Sequence, residues 1–185
     1  MYIERILYPV YTLGIGSRIA VWTQGCFRKC EDCANPELWE QRKDCNTLME
    51  QLYSVIDNII SKNKVDGITI SGGEPFLQIK ELEELIKYLK KKNLEILVYT
   101  GYKKEELQEK GYGELLDMID ILIDGEYIRE YNYPKCVLRG STNQHIYYRT
   151  DIIQKAYEKY LSEGRKVQNI FMNNQMLSVG IHNKE

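Results

Sequence analysis

The sequence has no excess of basic charge, because its 25 Lys and Arg residues face 27 Asp and Glu residues, for a formal net charge of -2. That balance gives no electrostatic reason to expect a nucleic-acid partner. No run approaches the ~18 apolar residues that cross a bilayer, and Met1 to Arg5 lacks the basic-then-apolar order of a signal peptide. We therefore expect a cytoplasmic protein with no membrane partner.

The sequence also lacks a second pair of closely spaced cysteines, which most structural zinc sites need. Three of its five cysteines, Cys26, Cys30 and Cys33, form a single CxxxCxxC triplet, which in a cytosolic chain indicates a metal site rather than disulfides. Each iron of an iron–sulfur cluster usually takes one cysteine. Three thiolates would therefore hold a [4Fe–4S] cluster with one iron left open. The alternative is a zinc site completed by Cys45, Cys136 or a histidine.

A second motif, Ser71-Gly72-Gly73-Glu74-Pro75, follows the triplet by about forty residues. It offers bare backbone and one carboxylate, which suits a ligand with an amino group. The alternative is an ordinary turn between a strand and a helix, in which glycine is needed for its backbone angles.

Strand and helix patterns alternate along the first 146 residues. This alternation favours a parallel sheet with covering helices, but an eight-unit barrel typically needs about 250 residues. We therefore expect an α/β fold, a partial and open parallel β/α barrel, with ligands at the carboxyl ends of its strands. The predicted strands are Tyr2–Thr12, Arg18–Thr23, Gly67–Ile70, Glu95–Tyr99 and Ile119–Ile123, and the predicted helices are Thr47–Lys62 (with Thr47 as N-cap), Ile79–Lys92 and Lys103–Lys110.

The last part of the chain, residues 147–185, is predicted to be an extension packed on the core of residues 1–146. Asp151 to Ser162 has a helical pattern that ends before Gly164. Two further apolar segments flank Asn173-Asn174 and predict a β-hairpin. We expect this helix and hairpin to close the open side of the sheet.

Together the two motifs resemble those of the radical S-adenosylmethionine (SAM) superfamily. Within it, the chain resembles the activating enzymes of glycyl radical enzymes, and in particular the family that activates anaerobic ribonucleotide reductase. The motifs that carry this resemblance are Thr23-Gln-Gly-Cys26, the cysteine triplet, Ser71-Gly-Gly-Glu-Pro75, Tyr99-Thr-Gly-Tyr102, Ile121-Leu-Ile-Asp-Gly125 and Arg139-Gly-Ser-Thr-Asn-Gln144.

The resemblance implies an enzyme with one [4Fe–4S] cluster whose open iron binds SAM. Reductive cleavage of SAM would give a 5'-deoxyadenosyl radical, and that radical would abstract hydrogen from a glycine of a partner enzyme. The implied partners are a glycyl radical enzyme, such as anaerobic ribonucleotide reductase, and an electron donor such as flavodoxin or ferredoxin. Two alternatives stay open: radical modification of a peptide or small molecule, and a non-catalytic iron–sulfur or zinc protein.

The resemblance also implies roles for individual residues. Cys26, Cys30 and Cys33 would be the metal ligands. Asp32 stands just before the last cysteine, where many superfamily members carry an aromatic residue near adenine, so other groups, such as backbone, would have to hold that ring. The candidate cofactor-binding residues are Asp32, Gly72, Gly73, Glu74, Thr100 and Asp124, and the candidate substrate- or partner-binding residues are Arg139, Asn143 and Gln144. Thr100 and Asp124 have helix capping or turn formation as an alternative role, and Arg139 has that of a solvated surface arginine.

Overall fold

The computed structural model, which describes residues 1–172 and 175–182, contains a six-stranded sheet whose strand order follows the chain. Its strands are β1 (Ile3–Val10), β2 (Arg18–Thr23), β3 (Gly67–Gly72), β4 (Glu95–Tyr99), β5 (Ile121–Asp124) and β6 (His145–Tyr148). Strands β2 to β5 are parallel to one another, whereas β1 and β6 run antiparallel at the two edges. The carboxyl ends of the four parallel strands therefore meet at one edge, which we call the rim.

Helices cover one face of this sheet. Alternate residues of the strands point their side chains toward that face and pack against the helices. Ile19 and Val21 of β2 lie in the largest buried cluster, together with Leu52 of the first helix and Leu85 of the second. None of the helices in the described part of the chain is long and apolar enough to span a membrane. The helices on this face are α1 (Met49–Lys62), α2 (Ile79–Lys90), α3 (Lys104–Glu109) and α4 (Gly113–Met118), and a fifth helix, α5 (Asp151–Ser162), lies on the opposite face.

The opposite face of the sheet is covered by α5 and by an antiparallel pair of strands, β7 (Val167–Met172) and β8 (Gln175–Gly180). Val179 of β8 is buried in one cluster with Trp22 of β2. Tyr157 of α5 is fully buried, and its hydroxyl donates a hydrogen bond of 2.6 Å to Glu95 at the start of β4. These contacts fix the C-terminal segment against the same sheet whose rim carries the motifs.

The α/β class and the parallel-rich sheet are confirmed, and most predicted elements lie within two residues of the observed ones. Thr47 is not the N-cap of α1, which begins at Met49 after Leu48; the amide of Leu48 donates to the side chain of Gln51. The prediction also missed α4 and β6, both of them short. Strand β6 crosses the predicted boundary at residue 146, and the predicted Asn173-Asn174 turn lies outside the described residues.

Candidate active site

Loops from all four parallel strands line one cavity of about 520 Å³ at the rim. Cys26 follows β2, Glu74 follows β3, Thr100 follows β4 and Gly125 follows β5. The parallel register places Thr23 beside Gly72, so the cysteine loop and the glycine turn leave the sheet side by side. The rim is where open α/β sheets bind their ligands.

The cysteine loop has no helix or strand of its own, and backbone hydrogen bonds hold it at both ends. The amide of Cys26 donates to the carbonyl of Trp39, and that of Cys33 donates to the carbonyl of Cys30. Lys29 and Asp32 adopt left-handed backbone angles, with φ of 46° and 57°. This tight path brings Cys26, Cys30 and Cys33 to the wall of one cavity.

The three cysteines have the donor chemistry that an iron–sulfur cluster requires, since all are free thiols and all face the cavity. Burial raises the pKa of Cys26 and of Cys30, so cluster binding must displace protons from them. No three His, Cys, Asp or Glu side chains in the described residues are close enough to hold a single metal ion as they stand. A cluster sets a different requirement, because the cysteines bind different irons rather than one shared ion.

The two other cysteines lie away from the cavity wall. The sulfur of Cys45 is 3.1 Å from the guanidinium of Arg42 and 3.7 Å from the carboxylate of Glu4. Cys136 is buried elsewhere, and its carbonyl accepts a hydrogen bond from Arg165. Of the two histidines, His182 lines the cavity, whereas His145 contacts Asp124.

The glycine turn shows why two consecutive glycines stand there. Gly72 has a φ of +114°, and a Cβ at Gly72 would collide with the backbone of Thr23. A Cβ at Gly73 would collide with the carbonyl of Gly25. The amides of Gly73 and Glu74 already donate to the carbonyls of Thr23 and Gly25, at 2.8 and 2.7 Å. The turn is therefore packed directly against the residues that lead into the cysteine loop.

Glu74 is the most heavily engaged carboxylate at the rim, and only 1% of it is exposed. Its Oε1 accepts hydrogen bonds from the amide of Phe76 at 3.1 Å and the hydroxyl of Thr100 at 2.8 Å, and its Oε2 accepts one from the amide of Gly101 at 2.7 Å. Burial raises the pKa of Glu74, while these donors and the nearby Arg28 act in the opposite direction. A cationic group in the cavity would stabilise this buried charge further.

The other predicted residues divide into those that line the cavity and those that do not. Thr100, Asp32 and Gln144 line it, although Gln144 also holds the loop after β5, accepting from Gly140 and donating to the carbonyl of Gly125. Asp32 is paired with Arg129 at 3.0 Å.

Asp124, Arg139 and Asn143 are not on the cavity wall. Both oxygens of Asp124 are used by neighbouring loops, since Oδ2 accepts from the amide of Lys104 at 2.7 Å and Oδ1 from His145. Arg139 donates to the carbonyl of Gln144, and Asn143 to the carbonyl of Glu126. In this structure, their side chains hold the loops next to the cavity.

Sequence reasoning missed two groups of cavity residues. Arg28, between the first two cysteines, lines the cavity, but its spacing alone did not distinguish it from a surface charge. The second group lies on β8 and just after it, including Leu177, Val179 and His182. The hairpin was predicted from its pattern, yet only the tertiary structure shows that it forms a wall of the cavity.

The fold and the cysteine cavity define a class of single-cluster iron–sulfur proteins. The family model described as "4Fe-4S single cluster domain" matches residues 12–147, which contain the four parallel strands β2 to β5 and all the rim motifs.

The chain is similar to proteins named anaerobic ribonucleoside-triphosphate reductase-activating protein. The protein of Enterobacteria phage T4 is 32% identical over 155 residues, which are 80% of this chain and 96% of the relative. That of Haemophilus influenzae is 34% identical over 148 residues, 76% and 94% of the two chains, and that of Escherichia coli K12 is 28% identical over 150 residues, 76% and 95%. The chain belongs to the 4Fe–4S single cluster family that includes these activating proteins, which confirms the resemblance seen in the motifs.

A solved structure, that of QueE from Escherichia coli, is 22% identical with a TM-score of 0.43, over 54% of this chain and 51% of the other. A similarity of that extent says nothing about the function of this chain.

Proposed function

We propose that this protein is a radical SAM enzyme that installs a glycyl radical on an anaerobic ribonucleotide reductase. The observation that carries this proposal is that the three free cysteines and the Gly72-Gly73-Glu74 turn line one cavity. The name shared by the relatives specifies the partner class. The cluster, once bound, supplies an electron that splits SAM into methionine and a 5'-deoxyadenosyl radical.

The protein's own contribution is to bind and orient the substrate and to exclude water. Cys26, Cys30 and Cys33 would hold three irons of the cluster and leave its fourth iron without a cysteine ligand. Glu74 and the backbone carbonyls of the glycine turn would accept hydrogen bonds from the amino group of SAM, since the amides of Gly73 and Glu74 are already used. An ammonium beside a desolvated carboxylate makes a charge-assisted hydrogen bond, which is stronger than a neutral one.

The open sheet is, in this proposal, the partial barrel of the radical SAM type, with residues 147–185 as its extension. A partial barrel can admit a glycine-bearing loop from the side, next to the bound SAM. The electron would come from a small donor such as flavodoxin or ferredoxin. Asp124, Arg139 and Asn143 would act by holding the loops at that entrance rather than by touching SAM.

We expect a glycyl radical when the reduced, cluster-loaded protein is incubated with SAM and the anaerobic reductase from the same genome. The measurement is the electron paramagnetic resonance spectrum, in which a glycyl radical gives a doublet. Omitting SAM should abolish the doublet, and so should a reductase in which the radical-bearing glycine is replaced by alanine. SAM cleavage without any doublet on the reductase would contradict the choice of partner.

One observation favours a second candidate function, the modification of a peptide or small molecule. Leu177, Val179 and His182 of the C-terminal extension form part of the cavity wall, so the extension would contact a small substrate bound there. A peptide or small molecule that is consumed by the reduced protein and SAM, while the reductase stays unmodified, would favour this second function.

A further inference from the structure

Arg28 lies at the edge of the cavity, where four neighbouring side chains hold it. Its guanidinium is 3.0 Å from Glu126 and 3.6 Å from Glu106, and its side chain is 15% exposed. The guanidinium carbon also lies 5.3 Å from the ring centre of Phe27 and 5.0 Å from that of Tyr102. Two carboxylates and two aromatic rings therefore fix an arginine that stands between two cluster cysteines.

The Nε atom of Arg28 is buried and has no hydrogen-bond partner among the described residues. Unpartnered buried donors are costly, so such a donor on a cavity wall indicates a missing acceptor. Three further buried atoms without a partner belong to residues on the same wall, namely Nε of Arg5, Nε1 of Trp39 and the hydroxyl of Tyr99. The cavity is therefore built for a ligand that brings hydrogen-bond acceptors.

The absence of a side chain at Gly101 leaves the space that Arg28 occupies. A Cβ at Gly101 would lie 2.6 Å from Arg28 Nε and 3.3 Å from Oε2 of Glu74. The unpartnered donor and the buried carboxylate therefore lie close to the same glycine on the cavity wall. A cationic donor next to an anionic acceptor is the arrangement that recognises a zwitterionic amino acid.

We propose that Arg28 is the positioning residue for the carboxylate of the amino-acid part of the ligand, with its Nε–H as the donor, while Glu74 receives the amino group. This inference rests on the proposed function, since SAM is the ligand whose methionine part carries both groups. The pairs with Glu126 and Glu106 use the terminal nitrogens of Arg28 and leave Nε for the ligand.

The test compares two ligands that share only part of SAM. Arg28→Met should retain about four irons per chain but bind SAM at least tenfold more weakly, the loss of one hydrogen bond to a charged group. Its affinity for 5'-deoxyadenosine, which has no carboxylate, should stay within about twofold of the unsubstituted protein, measured under anaerobic conditions by competition with labelled SAM. Equal losses for both ligands, or no loss for SAM, would overturn the inference.

Two further variants keep the test decisive. Arg28→Lys retains the charge between Glu126 and Glu106 but has no Nε–H, so it should show the same selective loss of SAM affinity if the methionine variant fails to fold or to load iron. Arg42→Met removes an arginine that pairs with Glu4 and is not on the cavity wall; it should bind both ligands like the unsubstituted protein. A protein that never binds SAM would refute the proposed function itself, a result distinct from either outcome for Arg28.

Discussion

Replacing Cys26, Cys30 or Cys33 with alanine is expected to abolish both cluster binding and SAM cleavage. In the proposed site each cysteine would supply the ligand of a different iron, so the two remaining thiolates would not hold the cluster. Iron content should fall from about four atoms per chain, the composition of one [4Fe–4S] cluster, to nearly none after anaerobic reconstitution. The measurements are iron and sulfide analysis and the yield of 5'-deoxyadenosine.

Cys45 and Cys136 provide the matched controls for this experiment. Both lie away from the cavity wall, the first beside Arg42 and Glu4 and the second buried near Arg165. Cys45→Ala and Cys136→Ala should each retain about four irons per chain. If either variant lost its iron while remaining folded, the cluster would have a fourth protein ligand and no open iron.

Glu74→Gln is expected to weaken SAM binding strongly and also to destabilise the rim. The carboxylate accepts three hydrogen bonds on its two oxygens, and an amide nitrogen in place of one oxygen would face a donor. A charge-assisted hydrogen bond contributes roughly 1.5–3 kcal/mol, which corresponds to a loss of SAM affinity of more than tenfold. Anaerobic calorimetry measures the affinity, and iron analysis checks that the cluster is retained.

Glu83→Gln is a suitable control for that substitution. Glu83 lies on α2, where it pairs with Lys87. No residue of α2 lines the cavity. The change removes the same charge but no contact at the rim, so SAM affinity should be unchanged. Equal SAM affinity in Glu74→Gln and Glu83→Gln would refute the role assigned to Glu74.

The sequence was sufficient to predict the site where the chemistry depends on residues close together in the chain. The cysteine triplet and the turn from Ser71 to Pro75 are local motifs, and the alternation of strands and helices places both at the same end of a parallel sheet. The register of Thr23 with Gly72 in the structure agrees with that expectation. The collisions around Gly72 and Gly73 explain why the motif tolerates no side chain there.

The remaining features depend on contacts between distant segments, which no local pattern encodes. Asp124 follows a strand just as Thr100 does, yet its side chain turns to Lys104 and His145 rather than to the cavity. Arg28 resembles a solvated loop charge until Glu126, nearly one hundred residues later, is seen to hold it. Strand β6 is too short for an alternating pattern of apolar and polar residues to be recognised in the sequence. Only the folded sheet shows that it pairs with β5.

This chain is longer than its relatives, and its C-terminal hairpin contributes to the cavity. The relatives are matched over 94–96% of their own length but over only 76–80% of this chain. Strand β8 contributes to the cavity wall, and the hydroxyl of Thr12 and the guanidinium of Arg165 bind the carbonyls of Val179 and His182. The C-terminal segment is therefore fixed against the core and forms part of the cavity wall.

The most direct test of the whole account is the electron paramagnetic resonance spectrum of the anaerobically reduced protein, recorded before and after addition of SAM. We expect the signal of one reduced [4Fe–4S] cluster whose shape changes on SAM addition, because in the proposed mechanism SAM would bind at the iron that has no cysteine. Glu74→Gln should need a higher SAM concentration for the same change. A cluster signal that SAM leaves unaltered, or a folded protein that holds zinc and no iron, would contradict the account.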